Sequence, residues 1–117
     1  FVSGRAKDVM VLGGRNVHPD DLEQVALEEP LVRGAAAAFS VADEDRGTER
    51  VILVVEVVER DPSARDALAK RLRGAILASL SVGVDEVALW PLGAIPRTTS
   101  GKVRRAACRE AFLGAAG

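Results

Sequence analysis

The sequence predicts an α+β fold: an N-terminal β-hairpin followed by a three-stranded core sheet packed with about three helices. Three observations carry this reading. Val51 to Val58 is β-branched and nearly continuous, as in a strand buried on both faces over much of its length. Ala64, Leu68, Leu72, Ala75, Ile76 and Leu80 fall on one helical stripe. The elements run hairpin, helix, strand, strand, helix, strand, loop, helix, so a central sheet is needed to bury each apolar face.

Val9-Met10-Val11-Leu12 is a short apolar run ending in Gly13-Gly14, and Arg15 to Val17 is a second extended piece, which together read as a hairpin. Pro19 suits a helix first turn, and Asp20, Asp21 and Glu23 suit its positive end. Leu22, Val25, Ala26 and Glu29 continue at helical spacing, so a helix is expected over 19–29, with Pro30 as the stop. Ala35 to Ala38 favours helix by propensity. Phe39-Ser40-Val41 and the polar stretch 43–47 argue instead for a strand over 32–42 and a turn into the next strand. Asp61-Pro62 caps the second helix, which Gly83 is expected to break. Glu86 to Trp90 is the third core strand, 91–102 a loop, and 103–113 the last helix. Trp90 and Cys108 read as core residues, and His18, the lone histidine, as a helix-start residue without a catalytic partner.

At 117 residues the chain has the length of one domain. Its 48% hydrophobic and 28% charged content is that of a globular protein, and only 3% is aromatic, so Val, Leu, Ile and Ala must fill the core. A net charge of −1 argues against a global pull on nucleic acid. One cysteine and one histidine exclude an internal disulfide and a Cys/His metal cluster. There is neither a transmembrane-length apolar run nor a signal peptide, so a cytoplasmic protein is expected. The opening Phe1-Val2-Ser3-Gly4, without Met, reads as a piece of something longer.

Chemistry concentrates in Arg97-Thr98-Thr99-Ser100-Gly101-Lys102, which combines hydroxyls, a flexible backbone and a terminal lysine. A helix starting at 102–103 would put Lys102, Arg104 and Arg105 at its positive end, where the dipole disfavours cations. Either the protein accepts that small cost on an exposed basic helix, or the cations await an anion such as a phosphate or carboxylate. The Gly-Lys pair is not a P-loop, because Pro96 and Val103 stand where that motif needs Gly and Ser/Thr. Gly13-Gly14 lacks the spacing of a dinucleotide fingerprint. The acidic cluster Asp20, Asp21, Glu23, Glu28, Glu29 and the basic cluster Lys102, Arg104, Arg105, Arg109 read as solvated helix faces.

Two segments carry a family resemblance: Gly4-Arg5-Ala6-Lys7-Asp8 with Gly14 and Pro19-Asp20-Asp21-Leu22-Glu23, and Ile95-Pro96-Arg97-Thr98-Thr99-Ser100-Gly101-Lys102-Val103-Arg104-Arg105. At this separation, with an α+β pattern between them, they resemble the C-terminal domain of the adenylate-forming superfamily, which includes acyl-CoA synthetases, luciferases and peptide-synthetase adenylation domains. Gly14-Arg15-Asn16 and the ending Ser100 to Cys108 are most similar to fatty acyl-AMP ligases.

The resemblance implies a set of roles. Lys102 would be the catalytic residue, bridging carboxylate and α-phosphate, on a catalytic loop of Arg97, Thr98, Thr99, Ser100 and Gly101. Arg5 would approach the nucleotide, Lys7 would be the hinge, and Gly14 and Arg15 would border the pantetheine channel. Residues 1–7 would be the tail of the large domain and hinge, and 8–117 the catalytic-lysine domain. ATP and Mg²⁺ would be co-substrates held mainly by the large N-terminal domain, so this domain alone is expected to bind no cofactor and to be inactive. Partners would be that large domain, a fatty acid, and an acyl carrier protein or coenzyme A, with no nucleic acid and no transmembrane segment. The alternatives are an acyl-CoA synthetase, an amino-acid adenylation domain, or, in another class, a stand-alone carrier-protein docking module without catalysis.

Overall fold

The computed structural model describes residues 10–12, 15–43 and 48–116. Strands β1 (Met10–Leu12) and β2 (Arg15–Val17) form an antiparallel hairpin in the register Met10 to Val17 and Leu12 to Arg15. The expected Gly13-Gly14 turn lies outside the described residues. Helix α1 (Pro19–Leu27) follows, then β3 (Val32–Asp43), β4 (Thr48–Val57), α2 (Pro62–Leu80), β5 (Glu86–Trp90) and α3 (Arg105–Ala116). The core sheet has the order β3-β4-β5, with β3 antiparallel and β5 parallel to the central β4. The parallel pair requires a crossover, which α2 supplies. The α+β fold expected from the sequence is thus the fold observed.

The sheet is covered on both faces, and the alternation of β4 shows how. Val51, Leu53, Val55 and Val57 join Leu22 and Ala26 of α1 and Leu68, Leu72 and Ile76 of α2 in one core cluster. Ile52 and Val54 point the other way, into a second cluster with Phe39, Ile95, Cys108 and Phe112. Phe39 and Phe112 meet edge to face with ring centroids 5.8 Å apart. The alanine run is strand despite its helix propensity, because Ala37 and Ala38 are fully buried on opposite faces of β3. There α1 packs on one face of β3 and α3 on the other. Every residue from Val51 to Val57 is buried, while Val58 is exposed.

Each of the three helices differs from the sequence reading at a boundary. Helix α1 ends at Leu27, not 29. Helix α2 stops at Leu80, and Ser81, not Gly83, takes the left-handed cap conformation at φ 58°, donating its N–H to the Leu77 carbonyl. Helix α3 begins at Arg105 rather than 103 and runs to Ala116. The Asp61 cap forms as expected, its Oδ2 accepting from Ala64 N at 3.0 Å, with Pro62 in the first turn. His18 precedes α1 in an extended conformation, and its side chain makes no cap hydrogen bond. Trp90 is only partly buried, packed against the α3-side cluster at the end of β5.

Candidate functional site

The segment between β5 and α3 is a small, built hairpin. Ile95 anchors it, 1% exposed in the α3-side core. Beyond Pro96 the chain doubles back: Arg97 and Val103 form an isolated antiparallel bridge, and Arg104 N donates to Pro96 O at 2.9 Å. At the tip, Thr98 N donates to Lys102 O at 2.8 Å and Gly101 N to Thr98 O at 2.9 Å. Gly101 has φ 91°, a left-handed conformation that closes a short hairpin loop and suits glycine. The Thr98 hydroxyl accepts from Lys102 N at 3.1 Å and lies 3.0 Å from Ser100 Oγ. Thr98 and Ser100 therefore brace the turn from within. Lys102 stands directly across from Thr98, exposed, and no described carboxylate forms an ion pair with its ammonium.

Two buried carboxylates fasten the ends of this loop. Glu56, at the end of β4, is 1% exposed and faces the α3 side. Its Oε2 accepts from Ile95 N at 2.8 Å, its Oε1 from Ala35 N at 3.0 Å, and Arg97 pairs with Oε1. Burial by itself would raise the Glu56 pKa. The backbone donors of Ala35, Ile95 and Gly93, with Arg97, outweigh that and hold it below the usual glutamate value. Space for the carboxylate comes from Gly34, where the β3–β4 register shifts between Val32 and Ala36. A Cβ on Gly34 would overlap Glu56 Oε1 and come within 2.9 Å of Glu56 Cβ and 3.0 Å of a Leu92 methyl.

The far end is held by Glu23 of α1. Arg105, the first residue of α3, grips it with two hydrogen bonds, Nε to Oε2 at 2.6 Å and Nη2 to Oε1 at 2.7 Å, and also pairs with Asp20. Hydrogen bonding to Glu23 raises the Arg105 pKa above its usual value. Glu23 Oε2 also accepts from Ala38 N at 2.8 Å, and Arg109 Nε donates to Ser40 O at 3.0 Å. These side chains occupy backbone groups on the outer edge of β3, which has no neighbouring strand among the described residues.

This corrects part of the reading of the charged clusters as solvated faces, since Asp20, Asp21, Glu28, Lys102 and Arg104 are exposed as expected. Glu23 is buried, and Arg105 and Arg109 turn into the protein. With α3 starting at Arg105, Lys102 lies ahead of the first helical turn, and of the three cations expected there Arg105 is committed to α1. The helix-dipole argument therefore does not account for Lys102. Cys108 is a buried thiol, its pKa pushed up to about 11 by burial and then by the Glu23 and Glu56 charges, so it is a neutral core residue.

Of the other residues singled out by sequence, Arg5, Lys7 and Gly14 lie outside the described residues. Arg15 opens β2, paired with Leu12 across the hairpin. Glu56, Glu23 and Gly34 were missed as parts of the site. The available signal was Glu56 itself, a single charge inside the apolar run 51–58. Among the described residues no group of three or more His, Cys, Asp or Glu side chains is placed to hold a metal ion, and no helix is long and apolar enough to cross a membrane.

No protein-family model matches the chain. Individual proteins do. The long-chain-fatty-acid–AMP ligase FadD26 of Mycobacterium marinum is 41% identical over 118 residues, covering 96% of this chain. A structure from the fatty acyl-adenylate ligases of E. coli and L. pneumophila superposes with a TM-score of 0.77 at 34% identity, covering 93% of this chain and 19% of that one. An acyl-CoA synthetase of Brucella canis gives a TM-score of 0.75 at 29% identity, over 97% of this chain and 20% of that one. The chain spans about a fifth (20%) of the length of the curated relative it matches. By sequence and by fold, then, this chain matches the C-terminal portion of the fatty acyl-AMP ligases and related adenylate-forming enzymes.

Proposed function

We propose that the chain acts as the small C-terminal domain of a fatty acyl-AMP ligase, and that Lys102 is its catalytic residue. The parent reaction joins a fatty acid to ATP, giving an acyl-adenylate and pyrophosphate, and then passes the acyl group to the phosphopantetheine thiol of a carrier protein. The observation that carries the reading is the state of Lys102: an exposed ammonium on the tip of a braced hairpin, with no described carboxylate neutralising it. Such a charge is free to meet the substrate carboxylate and the α-phosphate, where it would stabilise negative charge developing at phosphorus. Thr98, Thr99, Ser100 and Gly101 shape the turn, and Arg97 ties it to the sheet.

In this reading Arg5 contacts the nucleotide, Lys7 is the hinge between 1–7 and the domain 8–117, and Gly14 and Arg15 border the pantetheine path after rotation. ATP and Mg²⁺ are held mainly by the large domain, so this domain depends on that partner for activity, and the parent enzyme works in the cytoplasm. The described part of this domain offers no acidic cluster for the metal.

Lys102→Ala in the parent enzyme should lower ATP–pyrophosphate exchange by about 100-fold or more while largely sparing transfer from supplied acyl-adenylate. Exchange at the wild-type rate would remove Lys102 from the chemistry. A second reading, transfer to free coenzyme A, draws support from the similarity to the Brucella canis acyl-CoA synthetase. Offering the parent enzyme coenzyme A and a carrier protein side by side separates the two, and rapid acyl-CoA production would select the second.

A further inference from the structure

We infer that Glu56 is a positioning residue for Lys102, acting through Ile95 and Arg97 without touching substrate. The inference rests on the proposed role of Lys102 and adds to it a residue that neither terminal motif contains.

A carboxylate at the end of a strand whose residues 51–57 are all buried is costly, and it is tolerated only where donors converge on it. The bonds of Glu56 show what that convergence ties together. They join Ala35, at the register shift of β3, to Ile95 and Arg97, which lie 39 and 41 residues beyond Glu56 in the chain. Ile95 and Arg97 form the incoming arm of the hairpin. That arm carries the returning arm by three hydrogen bonds: Arg104 N to Pro96 O and Thr98 N to Lys102 O, which together make the Arg97–Val103 bridge, and Lys102 N to the Thr98 hydroxyl. The backbone of Lys102 is therefore referred to the sheet through Arg97, and Arg97 through Glu56. The lysine side chain is long and mobile, so the position of its backbone decides which space the ammonium reaches. A displacement of about 1 Å at a reacting group can cost about 100-fold in rate.

Gly34 supports the same assignment independently. It leaves open the space that the Glu56 carboxylate occupies, since any Cβ there would strike Oε1. Sheet, glycine and carboxylate form one seat for the loop.

The test compares half-reactions in the parent enzyme. Glu56→Gln keeps the shape but loses the charge facing Arg97 and one acceptor oxygen. ATP–pyrophosphate exchange should fall about 10- to 100-fold in kcat, with KM for ATP and transfer from supplied acyl-adenylate each within about threefold. Gly34→Ala, which shifts the carboxylate without altering it, should give the same split with smaller amplitude, and it stands in if Glu56→Gln does not fold. Asp61→Ala weakens the cap of α2, away from the loop, and should leave the ratio of the two half-reactions unchanged. Wild-type exchange in both Glu56→Gln and Gly34→Ala, alongside an inactive Lys102→Ala, overturns the positioning role alone. An equal fall in both half-reactions also overturns it, leaving Glu56 as a purely structural residue. If Lys102→Ala exchanges at the wild-type rate, the reading of Lys102 fails first and this inference fails with it.

Discussion

Glu56 and Glu23 are both buried carboxylates paired with arginine, yet they are bound in different ways. Glu56 is held first by backbone, with amides of Ala35 and Ile95 on its two oxygens, and its arginine partner is a third exposed (33%). Glu23 is held first by a side chain, the two-pronged Arg105 at 19% exposure, with one amide from Ala38. Backbone donors cannot swing away when their acceptor is removed. An arginine on a long stem can find water. The difference teaches that Glu56 fixes the path of the chain, whereas Glu23 fastens two helices across an edge.

That contrast can be broken by mutation. Glu56→Ala should cost the most, about 3–5 kcal/mol in urea unfolding, because it leaves the Ala35 and Ile95 amides without their acceptor. Glu23→Ala should cost less, about 2–3 kcal/mol, since only the Ala38 amide is stranded while Arg105 can turn outward. Equal losses would erase the distinction. Gly34→Ala should cost about 1–3 kcal/mol by overpacking against Glu56, and the loss should shrink in a Glu56→Ala background, where the obstructing oxygen is gone. Asp61→Ala, which shares no hydrogen-bond partner with either carboxylate, should cost about 1 kcal/mol and add independently.

Acid sharpens the comparison further. The Glu56 pKa is lowered in the folded protein, so its contribution is present above the ordinary value of 4.5 and is lost as pH falls through 4.5 and below. Glu29, lowered chiefly by its hydrogen bond to Arg71, follows the same sign. The stability gap between wild type and Glu56→Gln should therefore narrow as pH falls from about 6 to about 3. A gap that widens with acidification would contradict the charge-paired state of Glu56.

Much of the fold was legible in advance because it follows from local pattern. The continuous run at 51–58 made a central strand, the 3.6-residue stripe of Leu68, Leu72 and Ile76 made a helix, and Asp61-Pro62 made its start. The loop at 95–102 stood out because hydroxyls, glycine and lysine cluster there. The helix ends were less legible. A left-handed serine at 81 ends α2, where the break was expected at Gly83, since cap conformation depends on what packs around it. The charge clusters misled at Glu23, Arg105 and Arg109, because i,i+3 spacing shows that residues share a face, not what that face meets.

By itself, then, the sequence determined the order and type of the elements, the buried faces, and the presence of a reactive-looking lysine in a polar loop. Those follow from propensity and periodicity, which act over a few residues. Only the tertiary structure decided that Glu56 sits under Ile95 and Arg97, that Gly34 makes room for it, and that Glu23 takes Arg105. These contacts join residues tens of positions apart. A buried charge is tolerable only where distant donors converge on it, and that convergence exists only once the chain has folded.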